Sequence, residues 1–224
     1  MTDLDREGRK ATGSGSGLQL ALIVVVALMA VVALLAIVDR VTTRRGDKVA
    51  MLGDSISAVA GRALADDLSD YDVSLRAHFG ATVADMAADS AALTGERPVQ
   101  VVVDLGTNDA LRGVAPAETK ATLSAIIGGF GDAECVHLVN INTSMKDLGQ
   151  GGASMSEPAQ AVNGVLDELV EADDRLRIID WDSMVAADPG LVDDTVHPNE
   201  AGQAALADAV ADSLDKCGRG WKFW

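Results

Sequence analysis

Ser55, Asp194 and His197 are residue types that, brought together, can turn a hydroxyl into a nucleophile. A histidine takes the serine proton while a carboxylate holds the ring in the right tautomer. The local sequence favours that use. In Asp194-Thr195-Val196-His197-Pro198-Asn199, an aspartate three residues before a histidine can fold back in one turn and accept its Nδ1–H. Pro198 restricts His197 to extended backbone, and Asn199 is suited to cap a following helix. Gly53-Asp54-Ser55 stands between a short apolar run and a helical pattern, so Ser55 sits where a strand becomes a helix. Its backbone N–H, near a helix start, points partial positive charge at a developing oxyanion. The competing role for Ser55 is a plain helix cap.

Two more positions offer donors for the same oxyanion. Gly106-Thr107-Asn108-Asp109 closes another apolar run, so the Asn108 amide can reach over a strand end. Gly80, in Phe79-Gly80-Ala81-Thr82, can present a backbone N–H with no side chain in the way. Ordinary turn chemistry accounts for either one alone. Of the other histidines, His137 lies inside an apolar run and reads as a packed residue, and His78 has no such context.

These residues need a frame. Val49–Leu52, Val99–Leu105, Cys135–Ile141 and Leu176–Ile179 read as strands, with Asp72–Leu75 weaker. Helical stripes lie between them: Ile56, Val59, Ala60, Ala63 and Leu64; Leu123, Ile126, Ile127 and Phe130; Val162, Val165, Leu166 and Leu169; and Leu206, Val210 and Leu214. Ser156 is the expected cap of the third, with Pro158 in its first turn. Alternation of five strands with helices predicts a parallel sheet covered on both faces. The segment from Asn142 to Met155 carries Gly149, Gly151 and Gly152. It either lines a cleft at the strand ends or is a glycine-rich loop without contacts.

Composition bounds the rest. Of 224 residues 48% are hydrophobic but only 3% aromatic, so the core must be aliphatic. The net charge of −16 argues against nucleic acid as a partner. Cys135 and Cys217 form no CxxC motif, which disfavours structural zinc. Sequence leaves open whether they pair or stay buried thiols.

Residues 1–17 are polar and end in a Gly/Ser lead-in; 18–38 hold one polar residue, Gln19. At about 1.5 Å per residue this span reaches roughly 31 Å, the length of a single-pass membrane helix. A cleaved signal peptide would have a shorter apolar core. Arg6, Arg9 and Lys10 on one side balance Arg40, Arg44, Arg45 and Lys48 on the other, so basic flanks leave orientation open. The expected organisation is tail 1–17, transmembrane helix 18–38, linker 39–46, catalytic domain 47–217 and tail 218–224. The tip Trp221-Lys222-Phe223-Trp224 suits either packing on the domain or a bilayer interface, and oligomeric state is open.

Taken together, Gly53-Asp54-Ser55-Ile56-Ser57, Gly80, Gly106-Thr107-Asn108-Asp109 and Asp194-Thr195-Val196-His197-Pro198 resemble the blocks of the SGNH, or GDSL-type, hydrolases. Ile56 replaces the usual leucine. The resemblance implies a three-layer α/β/α sandwich of flavodoxin-like type on a five-stranded parallel sheet. It implies Ser55 as nucleophile, His197 as base, Asp194 as its orienter, and an oxyanion hole from Ser55, Gly80 and Asn108. It also implies no metal or other cofactor, and a location outside the cytoplasm. Three functions follow as expectations: hydrolysis of a small-molecule, glycan or lipid ester; acyl transfer to a cell-envelope glycan; and a membrane-tethered binding module with a vestigial site.

Overall fold

The computed structural model describes residues 22–32, 46–149 and 151–217. These fall into two units, divided after Thr43. In the first, residues 22–32 form helix α1, whose side chains are exposed. No helix among the described residues is long and apolar enough to cross a membrane. The rest of the expected 18–38 span, and the 218–224 tail, lie outside the described residues.

The second unit is an α/β fold. Its strands are β1 (Lys48–Gly53), β2 (Asp72–Ala77), β3 (Gln100–Asp104), β4 (Cys135–Val139) and β5 (Leu176–Ile179). They form one all-parallel sheet in the order β2-β1-β3-β4-β5. This is the flavodoxin-like order, in which strand connections diverge between β1 and β3 and leave a crevice at their carboxyl ends. The helices are α2 (Ser55–Asp67), α3 (Ala87–Thr94), α4 (Thr107–Arg112), α5 (Pro116–Gly129), α6 (Ser156–Ala172), α7 (Trp181–Ala187) and α8 (Glu200–Lys216).

Both sheet faces are apolar, which is why the strands read as continuous runs. Ala50 and Leu52 of β1 join Val101 and Val103 of β3 in a core shared with Leu123, Ile126 and Leu166. The alternate residues Val49, Met51 and Val102 face Ile56, Leu64, Leu206 and Val210 instead. The sheet therefore has α5 and α6 on one side, α2 and α8 on the other.

Two local readings change. Ser156 does not cap α6; it is the first helical residue, Met155 holds the cap position, and the Ser156 hydroxyl accepts from Gln160 Nε2. β4 ends at Val139, two residues short of the expected Ile141. There the chain is diverted as Asn163 of α6 takes both the N–H and the carbonyl of Ile141. Cys135 and Cys217 form a disulfide that joins the start of β4 to the end of α8.

Candidate active site

Gly53 ends β1 in a space that excludes any side chain: an added Cβ would lie 2.3 Å from Ser57 Cβ. That close approach lets α2 begin at once. Its cap is Asp54, whose Oδ1 accepts the Ile56 N–H at 2.9 Å. Because Asp54 caps the helix, the Ser55 hydroxyl is released from that role. It meets His197 Nε2 at 2.9 Å, across 142 residues of sequence.

His197 is held on its other side by Asp194, with Nδ1 2.7 Å from Oδ2. Asp194 Oδ1 accepts the backbone N–H groups of Val196 and His197 at 3.0 and 2.7 Å, which closes the turn foreseen from the spacing. Burial raises the Asp194 carboxyl, but these hydrogen bonds outweigh it and hold the group below its ordinary value.

The turn is pinned from outside as well. Val196 is buried with Ile141, Met145 and Val162. Thr195 has a positive φ of 70°, unusual for a β-branched residue, and both its carbonyl and its hydroxyl oxygen are engaged. Its carbonyl accepts Asn142 Nδ2 at 2.9 Å, and its Oγ1 accepts the Lys146 N–H at 3.0 Å. The Asn142–Met155 segment thus has a contact role: its first residues support the Asp194–His197 turn. Beyond it, Asn199 Oδ1 caps α8 by accepting the Gly202 N–H.

Asn108 and Gly80 stand at the ends of the strands flanking β1. Asn108, the second residue of α4, donates from Nδ2 to Asp54 Oδ2 at 3.0 Å. Gly80 has φ 74°, which favours glycine, and its carbonyl accepts Arg112 Nη2 at 2.5 Å. Asp109 joins the two sides, its Oδ2 accepting the Val83 N–H and its Oδ1 the Thr119 hydroxyl.

Sequence reasoning missed a buried acid group beneath Ser55. Asp54, Asp104 and Asp109 are all at most 2% exposed. Asp104 ends β3 opposite Gly53 and accepts the Ser57 hydroxyl at 2.5 Å. Burial pushes Asp104 up to about 6. Burial, then the neighbouring Asp104 charge, raises Asp54 well above its usual range. The signal was present: Asp104 ends an apolar strand and Asp54 directly follows one, and neighbouring parallel strands bring their ends together.

The one grouping of possible metal donors among the described residues is Cys135, His137 and Cys217. Its sulfurs are bonded to each other, and His137 contacts Ser213 and Gln100 instead.

The GDSL-like lipase/acylhydrolase family profile matches residues 39–205, most of the chain. The chain belongs to that family. Esterase TesA of Pseudomonas aeruginosa is 38% identical over 89 residues, 34% of this chain and 44% of that esterase. The match thus spans less than half the length of this curated relative. A crystal structure of TesA shares the fold with a TM-score of 0.61 at 27% identity, covering 75% of this chain and 97% of that one. A GDSL-like lipase of Bacteroides thetaiotaomicron gives 0.66 at 16% identity, over 76% and 88% of the two chains. The catalytic domain of Streptococcus pneumoniae peptidoglycan O-acetyltransferase A gives 0.61 at 20%, over 78% and 96%. These last two show a common fold. Family membership sets the chain among the SGNH/GDSL-type hydrolases.

Proposed function

We propose that this family member is a serine esterase working through an acyl-serine intermediate. The observation that carries the reading is the chain of contacts from Ser55 Oγ through His197 to Asp194. His197 Nε2 takes the hydroxyl proton as Oγ attacks the ester carbonyl. Asp194 accepts Nδ1–H and stabilises the imidazolium. Negative charge on the former carbonyl oxygen is met by Ser55 N–H, Gly80 N–H and Asn108 Nδ2–H. The alcohol leaves with the proton from His197, and water repeats the sequence to release the acid. Hydrolysis of p-nitrophenyl acetate tests this. Asn108→Ala is expected to lose about 10²–10³ in kcat while remaining folded. An unchanged rate would remove Asn108 from the site.

Acyl transfer to an envelope glycan is the second reading, favoured by the presence of a peptidoglycan O-acetyltransferase on the same fold. Both reactions share the acyl-enzyme, so an acyl donor offered with glycan distinguishes them: acylated glycan supports transfer, free acid alone supports hydrolysis. The substrate is then a small-molecule, glycan or lipid ester. Retained esterase turnover also excludes the tethered binding module.

For location, residues 18–38 act as a single-pass anchor with residues 47–217 outside the cytoplasm. The Cys135–Cys217 disulfide supports that side, because such bonds persist in oxidising compartments. Protease treatment of intact cells tests it: the domain should be cleaved, and its protection would reverse the orientation.

A further inference from the structure

The structure assigns Asp54 a positioning role: its carboxylate fixes which end of the Asn108 amide faces the reacting carbonyl. This rests on the reading of Asn108 as an oxyanion donor.

An asparagine amide has two ends of nearly the same shape and opposite chemistry, an NH₂ that donates and an oxygen that accepts. If the oxygen faced the substrate, it would repel the oxyanion. Rotating the amide about its last torsion exchanges the two ends, so something must choose between them. Asn108 lies buried at the start of α4, and its Nδ2 points at Asp54 Oδ2, 3.0 Å away. Burial and the Asp104 charge raise Asp54, but the Ile56 N–H and Asn108 Nδ2–H bonds to its two oxygens favour the ionised form, and an ionised carboxylate can only accept. It therefore demands the NH₂ end, and since nitrogen carries two protons, one remains to donate to the substrate.

The other carboxylate oxygen caps α2 through the Ile56 N–H. Through its two oxygens Asp54 thus holds two of the proposed donors, the Asn108 amide and the helix start that bears the Ser55 N–H. Asp54 is itself fixed from below, because its backbone N–H donates to the carbonyl of Asp104 at 3.2 Å. Asp104 is in turn held by Ser57. Asp54 does not touch substrate; it acts through Asn108.

The same geometry makes an unusual prediction about size and chemistry. Asp54→Asn is nearly isosteric, and asparagine caps helices as well as aspartate. With its oxygen kept on Ile56 N–H, however, its NH₂ would face the Asn108 NH₂. The Asn108 amide must then turn its oxygen to Asp54→Asn, leaving no N–H for the oxyanion in that direction. Asp54→Ser also caps, but its shorter side chain sets no fixed NH₂ against Asn108, and its hydroxyl hydrogen can rotate to suit. The gentler-looking variant should therefore be the worse one.

The test is p-nitrophenyl acetate kinetics on the full chain, with a denaturant midpoint for each variant. Asp54→Asn is expected to lose about 10²–10³ in kcat, with KM changed by no more than about threefold. Asp54→Ser should lose less. Asp54→Asn combined with Asn108→Ala should be no slower than Asn108→Ala alone, because both remove the same donor. If Asn108→Ala is slow but Asp54→Asn keeps wild-type kcat, the positioning role is wrong and the oxyanion reading survives. Additive losses would equally overturn it. If Asn108→Ala itself keeps wild-type kcat, the oxyanion reading fails and takes this inference with it. Should Asp54→Asn not fold, Asp54→Ser with and without Asn108→Ala carries the same non-additivity test.

Discussion

Helix α8 has a histidine near each end, and the two occupy opposite settings. His197 stands just before the amino end, half-buried, between an exposed carboxylate and a serine hydroxyl. His137, in β4, is fully buried and contacts Ser213 near the other end of α8. Its second nitrogen is 3.1 Å from Gln100 Oε1. Both of these partners are neutral, and His137 is fully buried. A histidine there joins strand to helix. His197 has a carboxylate behind it and an open approach to its hydroxyl partner. The cross-links follow the same division. At the carboxyl ends of the strands, polar side chains tie loops together; at the opposite end of α8, the disulfide does.

The sharpest way to break this contrast is to remove each histidine in turn. His197→Ala should lower kcat for p-nitrophenyl acetate by about 10⁴–10⁶, whereas His137→Ala should leave it within a few-fold. Equal losses would mean the two are not functionally distinct. Next comes Asp194→Asn. Its oxygen can still accept from the Val196 and His197 backbone, but its NH₂ would face Nδ1 and select the wrong tautomer. A fall of about 10³–10⁴ in kcat with an unchanged denaturant midpoint is expected.

Smaller effects sharpen the other side. His137→Ala should cost about 1–3 kcal/mol for each buried partner left unsatisfied, read from urea unfolding. Reducing the disulfide, which closes a separation of 82 residues, should cost roughly 2–4 kcal/mol without changing kcat at 25 °C. Asp104→Asn concerns stability against pH. Asp104 titrates near 6 in the fold against an ordinary 3.8, so its contribution is full below 3.8 and lost as pH rises through 6. The variant should gain on wild type above pH 6, by at most roughly 3 kcal/mol at ~1.4 kcal/mol per pH unit, and lose that gain by pH 4. An equal difference at both pH values would contradict the burial of a charged Asp104.

Much of this was legible because the chemistry sits at element boundaries. Gly53-Asp54-Ser55 and Gly106-Thr107-Asn108 mark strand ends, and a parallel sheet gathers such ends along one edge. Asp194 and His197 were readable because they meet within one turn. What could not be read was the choice of side-chain partner across the edge. Asp54 was available as a cap, but nothing in its neighbours announces Asn108, 54 residues away. Asn142 and Thr195 are likewise ordinary loop residues until the fold sets them 2.9 Å apart. The disulfide needed the register of β4 against α8, which two cysteines do not encode. Ser156 was misread because a serine opening a helical pattern fits both the cap and the first turn.

The central claim is that Ser55 becomes a nucleophile through His197. Intact-protein mass measurement after treatment with a fluorophosphonate tests it most directly. The account predicts one adduct on wild type, mapped to Ser55, none on Ser55→Ala, and a greatly slowed reaction in His197→Ala. An adduct of equal extent on Ser55→Ala, or equal rates in wild type and His197→Ala, would contradict it.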